Sequence, residues 1–178
     1  MGPKSGDSRP ITDRVKESLF SVLYKYGLPD GATVGDLFCG VGSLGLEALS
    51  RGAQFVTFVE QDHKIIERLE KNIEKSGFVR NSKVIRADAF RLGVPAHKAG
   101  NQCDLVFVDP PYAATAQVGT GSRLGGLMEV LGGQVRTGGV VVVRTRCSVC
   151  LFEEYGCFEV VERRKWGKMA VVILQKAG

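Results

Sequence analysis

Four short apolar runs in this chain end at or beside a carboxylate: "TVGDLF", "QFVTFVE", "SKVIRAD" and "CDLVFVD". Each is too short and too rich in Val, Ile and Phe for a helix, and each reads as a buried strand. Helical periodicity fills the gaps. "SLGLEALSRG" closes on a glycine C-cap, "HKIIERLEKNIEKSG" is amphipathic, and a short helical turn follows the third run. A strand that leads into a helix and then another strand must return the chain to the same edge, so neighbouring strands run parallel. The pattern predicts a mostly parallel, doubly wound α/β sheet covered on both faces. Residues 121–136 read as a further helix and "GGVVVVRTR" as a fifth strand. "CFEVVERRKWGKMAVVILQK" reads as two strands turning at Trp166-Gly167, which adds an antiparallel closing hairpin.

Ahead of the first strand, Thr12 or Asp13 can cap a helix running to about Tyr26, with Val15, Leu19, Val22 and Leu23 on one face. Residues 1–11 are Gly, Pro, Ser and charge, and are expected to be flexible. Residues 12–178 are expected to form one domain, a size that closes a full core. The longest irregular stretch is "AATAQVGTGSRLGG", beside the fourth strand end, where a long loop is more often functional than a tolerated insertion.

No apolar run approaches the roughly 18 residues a membrane span needs. The opening "MGPKSGDSRP" lacks an apolar signal region, so a cytoplasmic protein is expected. The formal net charge is +5. Basic residues gather at Lys4, Arg9, Arg14 and Lys16 and again at Arg163, Arg164, Lys165 and Lys168. That suits either a phosphate-rich partner or a solvated basic surface. Five cysteines at irregular spacing make a poor disulfide framework. Cys147 and Cys150 form a lone CxxC far from His63 and His97, so no metal is expected.

The candidate site lies at the strand ends. Gly40-x-Gly42-x-x-Gly45 sits between a predicted strand and helix, where glycines let the backbone turn and approach a ligand. Glu60, followed by Gln61 and Asp62, is placed to accept both hydroxyls of a ribose. Asp88-Ala89 ends the third strand, beside a nucleobase. Ligands of open α/β sheets bind outside the carboxyl ends of the strands, and Asp36, Gly40, Glu60, Asp88 and Asp109 all fall there. Asp62 and Asp88 are each also plausible helix caps. Together the features point to an adenosine-containing ligand. NAD uses similar glycines and a ribose acid, but its pyrophosphate gains nothing from an acidic rim. S-adenosylmethionine carries no pyrophosphate, and an acidic rim suits its ribose, amine and adenine.

"DPPY" at 109–112 completes this reading. An exocyclic base amine is a weak nucleophile, because its lone pair is delocalised into the ring. Two acceptors on its N–H groups aim that lone pair at an electrophile. Asp109 can supply one and the Pro110 carbonyl the other, while Pro110 and Pro111 restrict φ and present no N–H. Tyr112 can stack on the base, worth about 1–3 kcal/mol. The plain alternative is a strand-ending turn.

These segments resemble a known family. "DLFCGVGSLGLEALSRGA", "FVEQD", "RADAF" and "DLVFVDPPY" are similar to S-adenosylmethionine-dependent amino-methyltransferases. "RPITDRVKESLF" and "RRKWGKMAVVIL" narrow this to the bacterial small-subunit ribosomal RNA guanine-N2 methyltransferases. The resemblance spans about residues 9 to 176. It implies a seven-stranded Rossmann-like sheet, mostly parallel, and methylation of the exocyclic N2 of one guanine in 16S ribosomal RNA. Asp36, Phe38, Gly40, Gly42, Gly45, Glu60, Gln61, Asp88, Ala89 and Asp109 would hold the cofactor. Asp109, Pro110, Pro111 and Tyr112 would carry the chemistry. Thr12 and Arg14 would join Tyr112 at the substrate, with Asp13 bordering the same pocket. The implied partner is ribosomal RNA or an assembling small subunit, met by a monomer without metal or membrane. Trp166 stands where the family more often has tyrosine, and the family's basic G-x-x-R-G-R-like run has no counterpart here. Competing readings are an amino-methyltransferase for another RNA or DNA base or a protein side chain, an inactive RNA-binding assembly factor, and an NAD oxidoreductase.

Overall fold

A computed structural model of the chain describes residues 11–98 and 100–178. The expected flexibility of residues 1–11 and the basic residues Lys4 and Arg9 therefore fall almost wholly outside the described residues.

Thr12 opens α1 (Asp13–Leu23) by accepting the Val15 N–H at 3.4 Å. A 3-10 turn over Tyr24–Tyr26 completes that segment, and Gly27 stops it at φ +70°. Then come β1 (Thr33–Leu37), α2 (Ser43–Ser50), β2 (Phe55–Glu60), α3 (His63–Lys75) and β3 (Ser82–Arg86). They are followed by the short α4 (Ala89–Leu92), β4 (Cys103–Val108), α5 (Arg123–Gln134) and β5 (Val135–Arg146). The chain closes with β6 (Glu154–Tyr155), β7 (Phe158–Trp166) and β8 (Met169–Lys176).

The strand order is β3-β2-β1-β4-β5-β8-β7-β6. β1 to β5 are mutually parallel, and β8, β7 and β6 continue the sheet antiparallel. The sheet thus has eight strands among the described residues rather than the expected seven. The extra one is the two-residue β6, which folds back on β7 through Tyr155 and Phe158. So short a pairing leaves no alternating pattern to read in sequence.

β5 also starts earlier than its apolar run. Gly138, at φ +74°, and Gly139 allow an irregularity opposite Cys103 to Leu105, so Val135 pairs with Cys103 ahead of the glycines. The expected 121–136 helix is shortened accordingly to 123–134. The loop after β4 holds a 3-10 turn over Tyr112–Thr115.

Helices α1, α2 and α3 cover one face, burying Leu19, Phe20, Leu23, Leu44, Leu69 and Ile73 against Val56, Phe58, Phe107, Val142 and Ile173. α4 and α5 cover the other with Leu124, Leu127, Met128 and Leu131. The strand order reverses between β1 and β4, which opens a crevice at the carboxyl edge of the sheet. Among the described residues no helix is long and apolar enough to cross a membrane.

Candidate active site

Side chains alternate faces along a strand, and the pairing register fixes which ones meet at the crevice. Asp36 pairs with Phe58 of β2 and Phe107 of β4. Glu60 and Asp109 lie two residues beyond those partners, so all three acids share the α1–α3 face. Val108 pairs with Val143, which brings Arg144 beside Asp109 on that face.

Glu60 organises the glycine turn. Its carboxylate accepts the N–H of Gly40 at 3.1 Å, of Gln61 at 2.8 Å and of Asp62 at 3.0 Å. Gly40 adopts φ +56°, and a Cβ there would meet nothing within 4 Å. That glycine is required by backbone conformation and faces open space. Gly42 shares that backbone requirement at φ +87° and is also constrained by packing, whereas Gly45 is constrained by packing alone. A Cβ on Gly42 would lie 2.5 Å from Leu69, and one on Gly45 would lie 2.3 Å from the Phe58 ring. Their absence lets the start of α2 press onto the sheet, where the Gly45 N–H donates to Asp36 at 2.8 Å.

Phe38 turns the chain at φ +58°, an uncommon conformation for a bulky side chain. It belongs to the walls of two neighbouring cavities. The larger, about 520 Å³, is lined by Phe38, Gln61, Asp88, Phe90, Pro111 and Arg123 among others. The smaller, about 180 Å³, is lined by Asp36, Phe38, Gly40, Ser43, Asp109 and Arg144, with Ile11 among the rest. Phe38 and Phe90 meet at 4.6 Å between ring centroids. Arg123 lies 4.0 Å over Phe90 and 3.4 Å from Asp88.

Asp62 and Asp88 both act as caps, accepting Lys64 N–H and Phe90 N–H respectively. Asp88 still lines the larger cavity, so the capping and ligand readings coexist there. Ala89 is buried at the start of α4 and lines neither cavity. Neither do Thr12, spent on its cap, and the exposed Arg14; Ile11 reaches the smaller cavity instead. Of the basic patch, Arg163 donates to the Leu151 carbonyl and Glu153, and Arg164 pairs with Glu162. Among the described residues, no group of His, Cys, Asp and Glu could hold a metal ion.

Within 109–112, Asp109 lines the smaller cavity and Pro111 the larger, while Pro110 and Tyr112 line neither. Pro111, not Pro110, supplies the carbonyl that accepts Ala114 N–H at 2.8 Å, so the Pro110 carbonyl stays out of that turn. Tyr112 is half-buried, with the Arg146 guanidinium 5.0 Å over its ring. Asp109 accepts the Arg144 Nε–H at 2.5 Å. Burial raises the Asp109 pKa, and the Arg144 charge and hydrogen bond oppose that rise. Phe90, Arg123 and Arg144 are among the cavity-lining residues that sequence reading missed. For Arg144 a signal existed: it has the parity of Val140 and Val142, so a charge falls on a buried face.

Asp36 is buried, which pushes its pKa up to about 7, with Gly45 N–H opposing and Asp109 and Glu60 reinforcing the rise. A carboxyl raised in the fold favours the folded state while protonated. That contribution is complete below the unfolded value near 3.8 and is lost as pH climbs to about 7. Denaturant melts should therefore show wild-type stability falling across that window relative to Asp36→Asn, which cannot ionise. Parallel curves for the two proteins would remove Asp36 as the titrating group.

A parallel sheet with this order, an acid-rimmed crevice at its carboxyl edge and an antiparallel closing hairpin define a Rossmann-like methyltransferase fold. The candidate methyltransferase yhhF from Escherichia coli shares it with a TM-score of 0.78 at 27% identity, covering 96% of this chain and 89% of that one. The chain belongs to the family described as Conserved hypothetical protein 95, which it matches over residues 2–175. A candidate rRNA methyltransferase, YlbH of Bacillus subtilis (strain 168), is 32% identical over 173 residues, 96% of this chain and 89% of that protein. Ribosomal RNA small subunit methyltransferase D of Escherichia coli (strain K12) is 41% identical over 112 residues. That match covers 62% of this chain and spans about half the length of that enzyme, 52%. The resemblance to bacterial small-subunit ribosomal RNA methyltransferases is borne out.

Proposed function

We propose that this protein is an S-adenosylmethionine-dependent ribosomal RNA methyltransferase, and that its target is the exocyclic N2 of a guanine in 16S ribosomal RNA, free or in an assembling small subunit. The observation that carries the reading is the placement of Asp109 in the smaller cavity and Pro111 in the larger at the switch point of the sheet. The residues present fit the cofactor. The larger cavity offers aromatic walls at Phe38 and Phe90 and a carboxylate at Asp88 for an adenine. Glu60 retains acceptor capacity beyond its three backbone bonds for a ribose. The open space at Gly40 and the acid Asp36 suit the amino-acid end.

When bound, the cofactor supplies an electrophilic methyl group on a cationic sulfur. Asp109 and the Pro110 carbonyl accept the two N–H groups of the target amine and point its lone pair into the smaller cavity. Tyr112 stacks on the base once it has left its own stack, a step costing a few kcal/mol. The amine would take the methyl as the sulfur–methyl bond breaks, and would then shed a proton, which Asp109 is placed to accept. Most of the rate enhancement then comes from positioning and preorganised acceptors. Residues 12–178 act as one domain and as a monomer in this reading.

The test is transfer of labelled methyl to 16S ribosomal RNA and to small subunits from a strain lacking the protein, followed by nucleoside mapping. Label recovered as N2-methylguanosine at one position supports the proposal. Label on another base, or none on either substrate, overturns it.

A further inference from the structure

The Asp109–Arg144 pair is unusual in its placement. Arg144 is 5% exposed on a strand whose same-face neighbours are Val140 and Val142. Its Nε–H reaches Asp109 Oδ1 at 2.5 Å, yet its Nη1 is buried with no hydrogen-bond partner among the described residues. An ion pair kept for stability alone gains little from such a site, because desolvation offsets attraction and an orphaned donor adds to the cost. The arrangement makes sense if the pair serves Asp109.

The surroundings specify how. Asp36 of β1 lines the same cavity, and Glu60 of β2 lies close enough to act on Asp36. The Cys39 thiol is held protonated by burial and by those acids. Ile11, ahead of α1, brings no charge. Tyr112 of the same segment carries Arg146 over its ring. Among the described residues lining the smaller cavity, Arg144 is the one cation. It engages Oδ1 and leaves Oδ2 as the oxygen free of it.

We propose that Arg144 is a positioning residue for methyl transfer, clamping Asp109 through one carboxylate oxygen so that the other stays an acceptor aimed at the target amine. The role rests on the functional reading above. A protonated carboxyl would offer that amine a donor as well as a weaker acceptor. Burial drives Asp109 toward that form, and Arg144 is the group that holds it back. A guanidinium suits the task because its planar fork fixes direction, whereas an ammonium supplies charge alone.

The test uses the full chain labelled with carboxyl-13C aspartate. The Asp109 resonance is assigned by its absence in Asp109→Asn, and its titration is followed in wild type, Arg144→Met and Arg144→Lys. Arg144→Met should raise the Asp109 midpoint by about 1–3 pH units, the range expected for one adjacent opposite charge. Its methyl-transfer rate should be low at neutral pH and recover as pH rises, which a misfolded variant would not do. Arg144→Lys should keep the midpoint near wild type and lower kcat while leaving KM for RNA unchanged. An unmoved midpoint in Arg144→Met, or full kcat in Arg144→Lys, overturns the proposal. The titration needs no RNA, so failure of the wild-type protein to methylate 16S ribosomal RNA would count against the functional reading separately.

Discussion

Asp109→Ala is expected to abolish single-turnover methyl transfer to 16S ribosomal RNA while the folded fraction still binds S-adenosylhomocysteine. The carboxylate faces the amine, so its removal costs chemistry before it costs cofactor. It also strands Arg144. Breaking a buried pair on one side costs about 3–5 kcal/mol, so the alanine variant should melt earlier as well. Asp109→Asn separates the two effects, because its amide oxygen can still accept Arg144 Nε–H or one N–H of the base. Replacing a charged acceptor with a neutral one forfeits about 1.5–3 kcal/mol, a rate loss of about ten- to 150-fold. Full turnover by Asp109→Ala would sink the amine-positioning mechanism, and the proline pair would revert to a strand-ending turn.

Glu60→Ala should weaken cofactor binding by at least about 1.5–3 kcal/mol, the scale of hydrogen bonds to a charged group. The structure adds a second loss. Glu60 also fixes Gly40, Gln61 and Asp62 through their N–H groups, so the alanine variant loosens the turn that approaches the ligand. Glu60→Gln keeps one acceptor oxygen and should fall between wild type and alanine. Calorimetry with S-adenosylhomocysteine measures all three. Equal affinity in Glu60→Ala would take Glu60 out of the site.

Much of this was legible in the chain. Short apolar runs ending at or beside acids placed Asp36, Glu60, Asp88 and Asp109 at one edge, because parallel strands separated by helices must present the same ends together. Gly40 was correctly read as a residue needing an unusual backbone. Gly42, at φ +87°, fits that reading too, and also abuts Leu69; Gly45 does not, since its constraint is a neighbour, Phe58, that comes near only after folding. Thr12 illustrates the converse: its local signal, a cap, was right, and its assignment to the substrate pocket rested on resemblance. The structure spends its hydroxyl on α1. Arg163 and Arg164 looked like free surface charge, yet they hold carbonyls and carboxylates of their own hairpin region. The parity of Arg144 marked it as a charge on a buried face, but its partner Asp109 lies in the β4–β5 register, which no window of either strand contains.

The position of β8 bears on how the site is assembled during synthesis. β5, which carries Arg144, is flanked by β4 on one side and by β8 on the other. β8 follows every other strand in the chain, so until residues 169–176 leave the ribosome β5 presents a bare, valine-rich edge. Such an edge readily recruits foreign strands. A nascent chain that stalls just before Met169 would therefore hold nearly all the site residues and still be the form most exposed to aggregation. Release of β8, rather than translation of the site itself, closes the sheet beside β5.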